Sequence, residues 1–361
     1  MSCFDTAKKK LGFGCMRLPM NGEEVDIAHF CEMVDCFMQA GFNYFDTAHG
    51  YIGGKSETAL REGLTSRYPR ESYVLTDKLS GWFFKTEEEI RPLFEKQLAA
   101  CGVEYFDFYL MHAQNAQCFE EFKAARAYET AFALKAEGKI RHVGISFHDK
   151  AEVLDRILTE YPEIETVQIQ FNYLDYEDDG VQGRLCYEVC RRHNQPVIIM
   201  EPVKGGALAN LPTTAATVLE ALNGGSAASY AIRYTASFEG VEMVLSGMSN
   251  TAQMDDNISF MRNFSPLSER EMAAVLKVCE LIKRQDLVQC TSCRYCMDVC
   301  PMGIEIPAWF AQLNARRQEQ PVSAVQGTAA SACIACGACE GVCPQKLPIR
   351  ELLKTSAEVL E

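Results

Sequence analysis

The sequence predicts an α/β protein: a parallel (β/α)8 barrel of the TIM-barrel class, followed by a small, mostly helical C-terminal domain. Strand-like runs alternate with amphipathic helical patterns through the barrel region, 1–265. A capped helical pattern covers 266–286, and two cysteine-rich runs lie within 287–361. A chain of 361 residues is long enough for one large barrel and one small appended domain.

The barrel prediction depends on eight successive β–α units. Strands are expected at 11–16, 42–46, 72–77, 105–111, 140–146, 164–170, 196–200 and 241–246. Helical patterns follow them at 26–40, 56–64, 86–100, 119–137, 149–159, 180–193, 214–234 and 250–262. Eight such units over about 250 residues is the size and rhythm of a (β/α)8 barrel. An open doubly wound sheet is the alternative, but no GxGxxG motif opens the first β–α turn.

Charge and cysteine content narrow the functional classes. The formal net charge is −14 and no basic run offsets it, which argues against a nucleic-acid or anionic-membrane partner. No apolar segment reaches the roughly 18 residues of a membrane span, and no signal-peptide h-region follows the first residues. Of 17 cysteines, the nine outside the C-terminal runs show no disulfide-like framework. We therefore expect a cytoplasmic protein.

The two C-terminal cysteine runs share one spacing. "QCTSCRYCMDVCP" (289–301) is repeated as "ACIACGACEGVCP" (332–344). This is the bacterial two-cluster ferredoxin pattern, in which the fourth cysteine of each run ligates the other [4Fe–4S] cluster. One cluster is then expected on Cys290, Cys293, Cys296 and Cys343, and the other on Cys333, Cys336, Cys339 and Cys300. Zinc is the competing interpretation, although structural zinc sites usually use two CxxC hooks some distance apart.

The segment before the first cysteine run predicts a docking helix. Ser268 and Glu271 form a capping box, and apolar residues follow at helical spacing. The expected stripe consists of Met272, Val275, Leu276, Cys279 and Ile282. The stretch 306–318 between the cysteine runs also has apolar residues at helical spacing, so the ferredoxin-like domain is predicted to be mostly helical.

Four chemically distinct side chains follow the second, third and fourth predicted strands. Asp46, Lys78 and His112 end these strands, and Tyr51 lies in the loop after Asp46. Catalytic groups of (β/α)8 barrels lie at the C-terminal ends of strands. A free Tyr has a pKa of about 10, and a nearby Lys held by an Asp is expected to lower it, while His orients a carbonyl oxygen. Taken singly, each residue also has a structural explanation, such as a loop cap or an ion pair.

The ordered motifs "KLGFGCMRLP", "FDTAHGYIGGKSE", "LTDK", "FYLMH", "RHVGIS" and "SGMSNTAQMDDN" resemble the aldo/keto reductase superfamily over residues 10–262. The C-terminal extension resembles the subgroup with a ferredoxin-like domain. The resemblance implies Tyr51 as general acid/base, Lys78 and Asp46 as its tuning pair, and His112 as the carbonyl-orienting residue. It also implies a small carbonyl/alcohol substrate and NAD(H) or NADP(H) bound across the strand ends.

The resemblance also implies cofactor contacts, with departures from the family pattern. The implied contacts are Ser146 and Gln168 to the carboxamide, Met200 beside the nicotinamide, Pro202, Val203, Gly205 and Leu208 at the pyrophosphate, Gly247, Ser249 and Gln253 towards the adenosine phosphate, and Asn257 at the adenine. Phe147 stands where the family commonly has Asn, and Met200 where an aromatic residue often stacks. Gly247, Met248 and Gln253 offer no basic clamp for a 2′-phosphate, so NAD(H) is expected to bind at least as tightly as NADP(H).

The sequence leaves open how electrons would pass between the nicotinamide and the clusters. A nicotinamide transfers two electrons at once, whereas each cluster carries one. The clusters are therefore expected either to exchange electrons with a redox protein partner or to serve a structural or sensing role. The alternative is an electron-transfer or redox-sensor protein on a barrel scaffold without hydride chemistry. Candidates for the substrate wall, which follow the third, fifth and sixth strands, are Trp82, Phe83, His148 and Tyr173.

Overall fold

The computed structural model describes residues 3–318 and 320–361. Its strands are β1 (Leu11–Gly14), β2 (Met20–Asn21), β3 (Glu24–Val25), β4 (Tyr44–Asp46), β5 (Val74–Leu79), β6 (Phe106–Gln114), β7 (Ile140–Phe147), β8 (Thr166–Gln170), β9 (Val197–Met200) and β10 (Val241–Ser246). β2 and β3 form a separate antiparallel pair that the sequence did not predict. The other eight strands close a parallel barrel, because β1 pairs with both β4 and β10. The predicted barrel is confirmed over the open sheet.

The helices are α1 (Ile27–Gln39), α2 (Lys55–Leu60), α3 (Glu87–Cys101), α4 (Ala116–Ala124), α5 (Ala127–Ala136), α6 (Ala151–Glu160), α7 (Gly183–Arg192), α8 (Thr213–Glu220), α9 (Ala227–Ala236), α10 (Thr251–Met261), α11 (Glu269–Lys283), α12 (Tyr295–Asp298), α13 (Ile306–Arg317), α14 (Ala338–Gly341) and α15 (Ile349–Leu360). Two expected helices, 119–137 and 214–234, are each divided in two. Arg126, with φ 53°, separates α4 from α5, and Asn223, with φ 52°, lies between α8 and α9. A left-handed residue ends a helix, and apolar periodicity does not reveal it.

The barrel register places the predicted catalytic residues at one end. Asp46 pairs with Thr76 across β4 and β5, and Lys78 pairs with Leu110 across β5 and β6. Because all strands run parallel, their C-terminal ends share one rim. The barrel narrows at Gly144, where a Cβ atom would come within 2.6 Å of the Thr166 side chain. Glycine there allows the strands to close.

Helix α11 has the predicted capping box and most of the expected apolar face, with Val278 in place of Leu276. The Ser268 side chain accepts from the Glu271 N–H, and the Glu271 carboxylate accepts from the Ser268 N–H. The buried residues of α11 join the main barrel core, and they are Val275, Val278, Cys279 and Ile282. Leu276, expected on this face, is 49 % exposed. The helix therefore packs as an extra element of the barrel, and the chain leaves it towards the second domain.

The C-terminal domain has its own apolar core. Its buried aromatic and aliphatic residues surround several of the cysteines, and the larger ones are Ile304, Ile306, Trp309, Phe310, Leu313, Ile349 and Leu353. Trp309 Nε1 donates to the Thr328 carbonyl at 3.2 Å, which ties α13 to the segment before the second cysteine run. Among the described residues, no helix is long and apolar enough to cross a membrane.

Candidate active site and cluster sites

A cavity of about 560 Å³ lies at the C-terminal end of the barrel strands. This is the end at which (β/α)8 barrels carry their chemistry. Its lining includes most of the residues expected from the sequence: Asp46, Tyr51, His112, Ser146, Gln168, Met200, Pro202, Val203, Gly205, Gly247, Ser249, Gln253 and Asn257. The C-terminal domain closes part of the same cavity with Cys293, Tyr295 and Pro344.

Lys78 and Asp46 form a buried pair beneath Tyr51. Lys78 Nζ donates to Asp46 Oδ1 at 2.6 Å and to the Thr47 carbonyl at 2.7 Å. The same Nζ lies 4.9 Å from the centre of the Tyr51 ring. Burial raises the pKa of Asp46, and the charge and hydrogen bond of Lys78 oppose that rise. The strand ends therefore fix an ammonium group directly against the phenol ring.

The direction of the Tyr51 pKa shift differs from the expectation. Burial raises the pKa of the Tyr51 phenol well above 10, and the carboxylates of Asp46, Asp77 and Glu201 act in the same direction. The prediction that Lys78 lowers this pKa overlooked the depth of burial and the number of surrounding acids. The phenol is consequently protonated at neutral pH, which suits a group that donates a proton.

His112 is held neutral and oriented by Ser80. His112 Nδ1 lies 2.6 Å from Ser80 Oγ, and burial followed by the Lys78 and His148 charges lowers the pKa of the imidazole well below 6.5. A Ser80 hydroxyl that donates to Nδ1 leaves Nε2–H free to donate to a carbonyl oxygen. The rings of His112 and Tyr51 lie 5.9 Å apart at 76°. Sequence reasoning missed Ser80, although it follows Lys78 by two residues and so lies on the same side of the extended chain.

The cavity fits a nicotinamide group at Gln168. Gln168 Oε1 is buried and has no hydrogen-bond partner among the described residues, while Nε2 lies 3.6 Å from Met200 Sδ. An unpaired buried acceptor is costly and marks a place for a ligand N–H. Ser146, also on the cavity, pairs with Gln168 across β7 and β8. Deeper towards α10, Asn257 Nδ2 donates to Ser246 Oγ at 2.7 Å.

The expected pyrophosphate loop packs against the cluster domain. Gly205 has φ 62°, and a Cβ there would come within 2.5 Å of the Thr291 carbonyl oxygen. Its N–H donates to Glu201 Oε2 at 2.6 Å. Leu208 was expected to contact the cofactor, but its side chain is fully buried in the barrel core and does not line the cavity. Leu208 therefore anchors the loop to the barrel core.

Sequence reasoning missed Arg17. Of the Lys and Arg side chains that the structure describes, only Arg17 lines this cavity. Its Nη2 donates to the Thr291 carbonyl at 2.7 Å, and its Nη1 lies 3.9 Å from Glu201 Oε1. Arg17 comes three residues after β1, so a charged residue just beyond a strand end was the available signal. Lys204, by contrast, is buried against Asp175.

The adenosine end of the cavity has one neighbouring cation, Arg17, whose side chain packs beside Gly247 and whose carbonyl accepts from Ser249 Oγ at 2.9 Å. The Arg17 guanidinium group itself is bound to Glu201 and Thr291. Gly247, Ser249 and Gln253 line this end, and Gln253 Oε1 accepts from the Ser249 N–H at 2.8 Å. The Asp256 carboxylate also lines it and accepts from Ser226 Oγ at 2.6 Å. An acidic group near this end would repel a phosphate.

The four substrate-wall candidates take different positions. His148 lines the cavity, and its Nδ1 has no partner among the described residues. Trp82 packs on His112, with ring centres 5.5 Å apart. Phe83 packs on His49 and does not line the cavity. Tyr173 is buried in an aromatic group with Tyr234 and does not line the cavity.

The eight C-terminal cysteines form two groups in space. Cys290, Cys293, Cys296 and Cys343 line one small cavity. Cys300, Cys333, Cys336 and Cys339 line another. Each group thus takes one cysteine from the other run. No three Cys, His, Asp or Glu side chains in the described ranges are placed to hold a single metal ion, whereas four thiolates around a space are the donor set of a [4Fe–4S] cluster.

Comparison with known proteins identifies both parts of the chain. Residues 10–280 match the model of the aldo/keto reductase family. The chain belongs to the aldo/keto reductase family. Residues 289–347 of this aldo/keto reductase match the 4Fe-4S dicluster domain, which decides between iron–sulfur clusters and zinc. The resemblance and the fold class predicted from the sequence are confirmed, and the protein is an oxidoreductase of aldo/keto reductase type with an iron–sulfur domain.

Curated relatives share moderate identity with this aldo/keto reductase. It is 27 % identical over 195 residues to the NADH-specific methylglyoxal reductase of Escherichia coli (strain K12), a match that covers 48 % of this chain and 57 % of that protein. It is 28 % identical over 249 residues to methylglyoxal reductase YeaE of the same strain, covering 66 % of this chain and 81 % of that protein. The first match spans little over half the length of its relative.

Solved structures share the barrel. An aldo-keto reductase from Klebsiella pneumoniae in complex with NADPH is 19 % identical with a TM-score of 0.59, covering 75 % of this chain and 90 % of that one. An aldo-keto reductase from Bacillus halodurans, in its holo form, is 23 % identical with a TM-score of 0.58, covering 74 % and 91 %. At 19 % and 23 % identity, the similarity to these two structures establishes a shared fold and nothing further.

Proposed function

We propose that this aldo/keto reductase interconverts a small carbonyl compound and its alcohol with NAD(H) or NADP(H), and that its C-terminal domain holds two [4Fe–4S] clusters. The observation that carries the proposal is that Tyr51, His112 and the unpaired Gln168 oxygen all face one cavity at the strand ends. The relatives named as methylglyoxal reductases support a small carbonyl substrate. We expect the protein to work in the cytoplasm.

The proposed chemistry divides between cofactor and chain. The nicotinamide, when bound, supplies or accepts a hydride at the carbonyl carbon. His112 Nε2–H orients the carbonyl oxygen, and the protonated Tyr51 donates its proton to that oxygen as negative charge develops. The resulting phenolate is stabilised by Lys78, whose Nζ lies 4.9 Å from the ring centre. Asp46 keeps Lys78 in place. Oxidation of the alcohol uses the same groups in reverse.

The proposed cofactor contacts follow the cavity from the strand ends to α10. Gln168 and Ser146 receive the carboxamide, and Met200 lies beside Gln168 at the nicotinamide end. The segment Pro202–Gly205 with Arg17 receives the pyrophosphate, and Asn257 receives the adenine. Uncharged Gly247 and Gln253, together with the acidic Asp256, favour NAD(H) over NADP(H).

The proposed cluster assignment follows the two cysteine groups, with Cys343 and Cys300 as the exchanged ligands. The nearer cluster adjoins the catalytic cavity, because Cys293 lines both spaces. This arrangement supports electron exchange with a redox partner, and a structural or sensing role is the other use of the clusters. A scaffold without hydride chemistry is disfavoured, because Tyr51, Lys78, Asp46 and His112 are all in place.

Anaerobic spectroscopy on the cluster-loaded protein tests this proposal. NADH and methylglyoxal are added in turn, while nicotinamide oxidation and cluster absorbance are followed together. Methylglyoxal-dependent NADH oxidation is the expected result. Bleaching of the clusters by NADH, reversed on addition of methylglyoxal, would show that they take part in turnover. Bleaching without turnover of methylglyoxal or any of a panel of small aldehydes and ketones would instead indicate an electron-transfer protein.

A further inference from the structure

The loop that carries the nearer cluster also reaches into the catalytic cavity. Cys293 and Tyr295 lie in the "CRYC" hook (293–296), and both line the cavity together with Tyr51 and His112. Tyr295 begins the short helix α12. The barrel therefore does not form the whole active-site wall, and part of that wall comes from the second domain.

A continuous series of ring contacts joins Tyr295 to the proton donor. The rings of Tyr295 and Trp82 lie 5.9 Å apart at 42°. Those of Trp82 and His112 lie 5.5 Å apart at 86°, and those of His112 and Tyr51 lie 5.9 Å apart at 76°. Of the Tyr295–Trp82 pair, Tyr295 lines the cavity, whereas Trp82 does not line it and is 53 % exposed to solvent. Tyr51, His112 and Tyr295 therefore face one space, and Trp82 supports the Tyr295 ring by packing on it.

Contacts between the domains hold Tyr295 in this place. Arg17 Nη2 donates to the carbonyl of Thr291, four residues before Tyr295. Thr291 also closes against Gly205, where even a methyl group would not fit. Pro344, beside the exchanged ligand Cys343, lines the cavity as well. The position of Tyr295 is thus fixed by the docked cluster domain.

Resting on the proposed function, we propose that Tyr295 is a specificity-determining residue supplied by the cluster domain. Tyr295, supported by Trp82, selects carbonyl compounds that bear a flat apolar substituent, such as an aryl aldehyde, over small polar ones such as methylglyoxal. Aromatic faces and edges bind flat rings more strongly than the buried area alone accounts for. A small polar dicarbonyl meets only Tyr51 and His112 and gains little from these rings.

The test uses the cluster-loaded protein without oxygen, with benzaldehyde and methylglyoxal as probes. Tyr295→Ala and Trp82→Ala are compared with Arg294→Ala. Arg294 belongs to the same hook but is 64 % exposed and pairs with Glu305, which makes it a matched control. Iron content and the cluster spectrum are measured for each variant. Trp82 is on the barrel, so Trp82→Ala keeps the test valid if Tyr295→Ala loses its cluster.

The expected result is a selective change. Tyr295→Ala and Trp82→Ala raise KM for benzaldehyde by about tenfold, with kcat and the methylglyoxal KM within about threefold of wild type. Arg294→Ala changes neither. A second readout is independent of turnover: benzyl alcohol binds the NADH-loaded protein without reacting, and its Kd rises by about tenfold in the two aromatic variants.

Three outcomes would overturn the inference: an unchanged benzaldehyde KM in Trp82→Ala, equal changes for both probes, or a wild-type protein that reduces methylglyoxal but not benzaldehyde. Failure of the proposed function gives a different result from failure of this inference. It appears as full turnover in Tyr51→Phe, and Tyr51 does not belong to the Tyr295–Trp82 pair.

Discussion

Lys204 Nζ donates a hydrogen bond of 2.8 Å to Gln345 Oε1, across the boundary between the barrel and the cluster domain. Lys204 also pairs with Asp175, and Gln345 exchanges two hydrogen bonds with Gln170, at 2.9 and 3.1 Å. All four side chains are buried. Gln345 comes two residues after Cys343. The expected nucleotide loop and the exchanged cluster ligand are therefore attached to the same polar network.

Gln345→Leu is expected to loosen the docking of the cluster domain. The variant leaves Lys204 with one acceptor fewer and Gln170 Oε1 without its donor, while Gln170 Nε2 keeps its bond to Asp175. Each such buried loss costs about 1–3 kcal/mol. Anaerobic denaturant unfolding and limited proteolysis of the segment after α11 measure the effect. Gln320→Leu, the same change at an exposed position of the cluster domain, is the control. Equal stability and equal proteolysis in the two variants would contradict the network's role.

The second prediction concerns stability against pH near the barrel's buried acids. Burial raises the pKa of Glu57, and burial together with the Glu57 charge raises that of Asp77 well above the ordinary range. Groups with raised pKa values stabilise the fold at low pH and lose that contribution as pH rises through the folded-state pKa. We therefore expect the contribution of these two acids to the free energy of unfolding to fall from pH 6.5 to 7.5, by at most about 1.4 kcal/mol per pH unit for each extra proton bound.

Glu57→Gln should flatten this slope, because an amide does not titrate. His49, whose Nδ1 lies 2.9 Å from Glu57, has a lowered pKa and acts in the opposite sense, but only below its unfolded value near 6.5. His112 and His148, whose pKa values are also lowered, act in the same way as His49. The test is therefore the difference in slope between Glu57→Gln and wild type, in which the contributions of these imidazoles cancel. Denaturant unfolding at both pH values gives the comparison, and an unchanged slope in the variant would show that Glu57 titrates as in the unfolded chain.

Sequence reasoning predicted the barrel and its catalytic rim because both follow from local patterns. Apolar runs gave the strands, and the residues that end them, Asp46, Lys78 and His112, necessarily share a rim in a parallel barrel. Sequence reasoning missed features that depend on contacts between residues far apart in the chain. Trp82 and Tyr295 are neighbours only because the second domain docks on the barrel, and no periodicity encodes that contact. The raised pKa of Tyr51 likewise depends on burial, which a motif does not show.

The cysteine grouping gives a prediction about ligation. Cys343→Ser should remove the cluster held with Cys290, Cys293 and Cys296, so iron falls from about eight to about four per chain. Low-temperature spectroscopy should then show one remaining cluster. Cys31→Ser, outside both groups, should leave the iron count unchanged. Loss of the cluster on Cys333, Cys336 and Cys339 instead would contradict the exchange of ligands.

The adenosine end gives a prediction about the cofactor. Wild-type protein should bind NAD(H) at least as tightly as NADP(H), because a 2′-phosphate meets Gly247, Gln253 and the acidic Asp256. Gln253→Arg should shift preference towards NADP(H) by about tenfold or more, since a charge-assisted hydrogen bond contributes about 1.5–3 kcal/mol. Gln253→Leu removes the bond to Ser249 without adding charge and serves as the control. Titrations of both nucleotides at two salt concentrations measure this, and a clear NADP(H) preference in the wild type would be the contrary result.

The Tyr51 hydroxyl is the proposed proton donor, so its removal is the most direct test of the proposed chemistry. Tyr51→Phe removes one oxygen from a ring that stays packed beside His112 and Lys78. Iron content and NADH affinity of Tyr51→Phe should remain as in wild type. The control is Tyr105→Phe, which should keep wild-type activity, because Tyr105 immediately precedes β6 at the other end of the barrel. The deciding measurement is kcat/KM for methylglyoxal reduction by Tyr51→Phe. We expect a fall of about 10²–10⁴-fold, the usual contribution of a general acid. Turnover within a few-fold of wild type would contradict the assignment of Tyr51 as the proton donor.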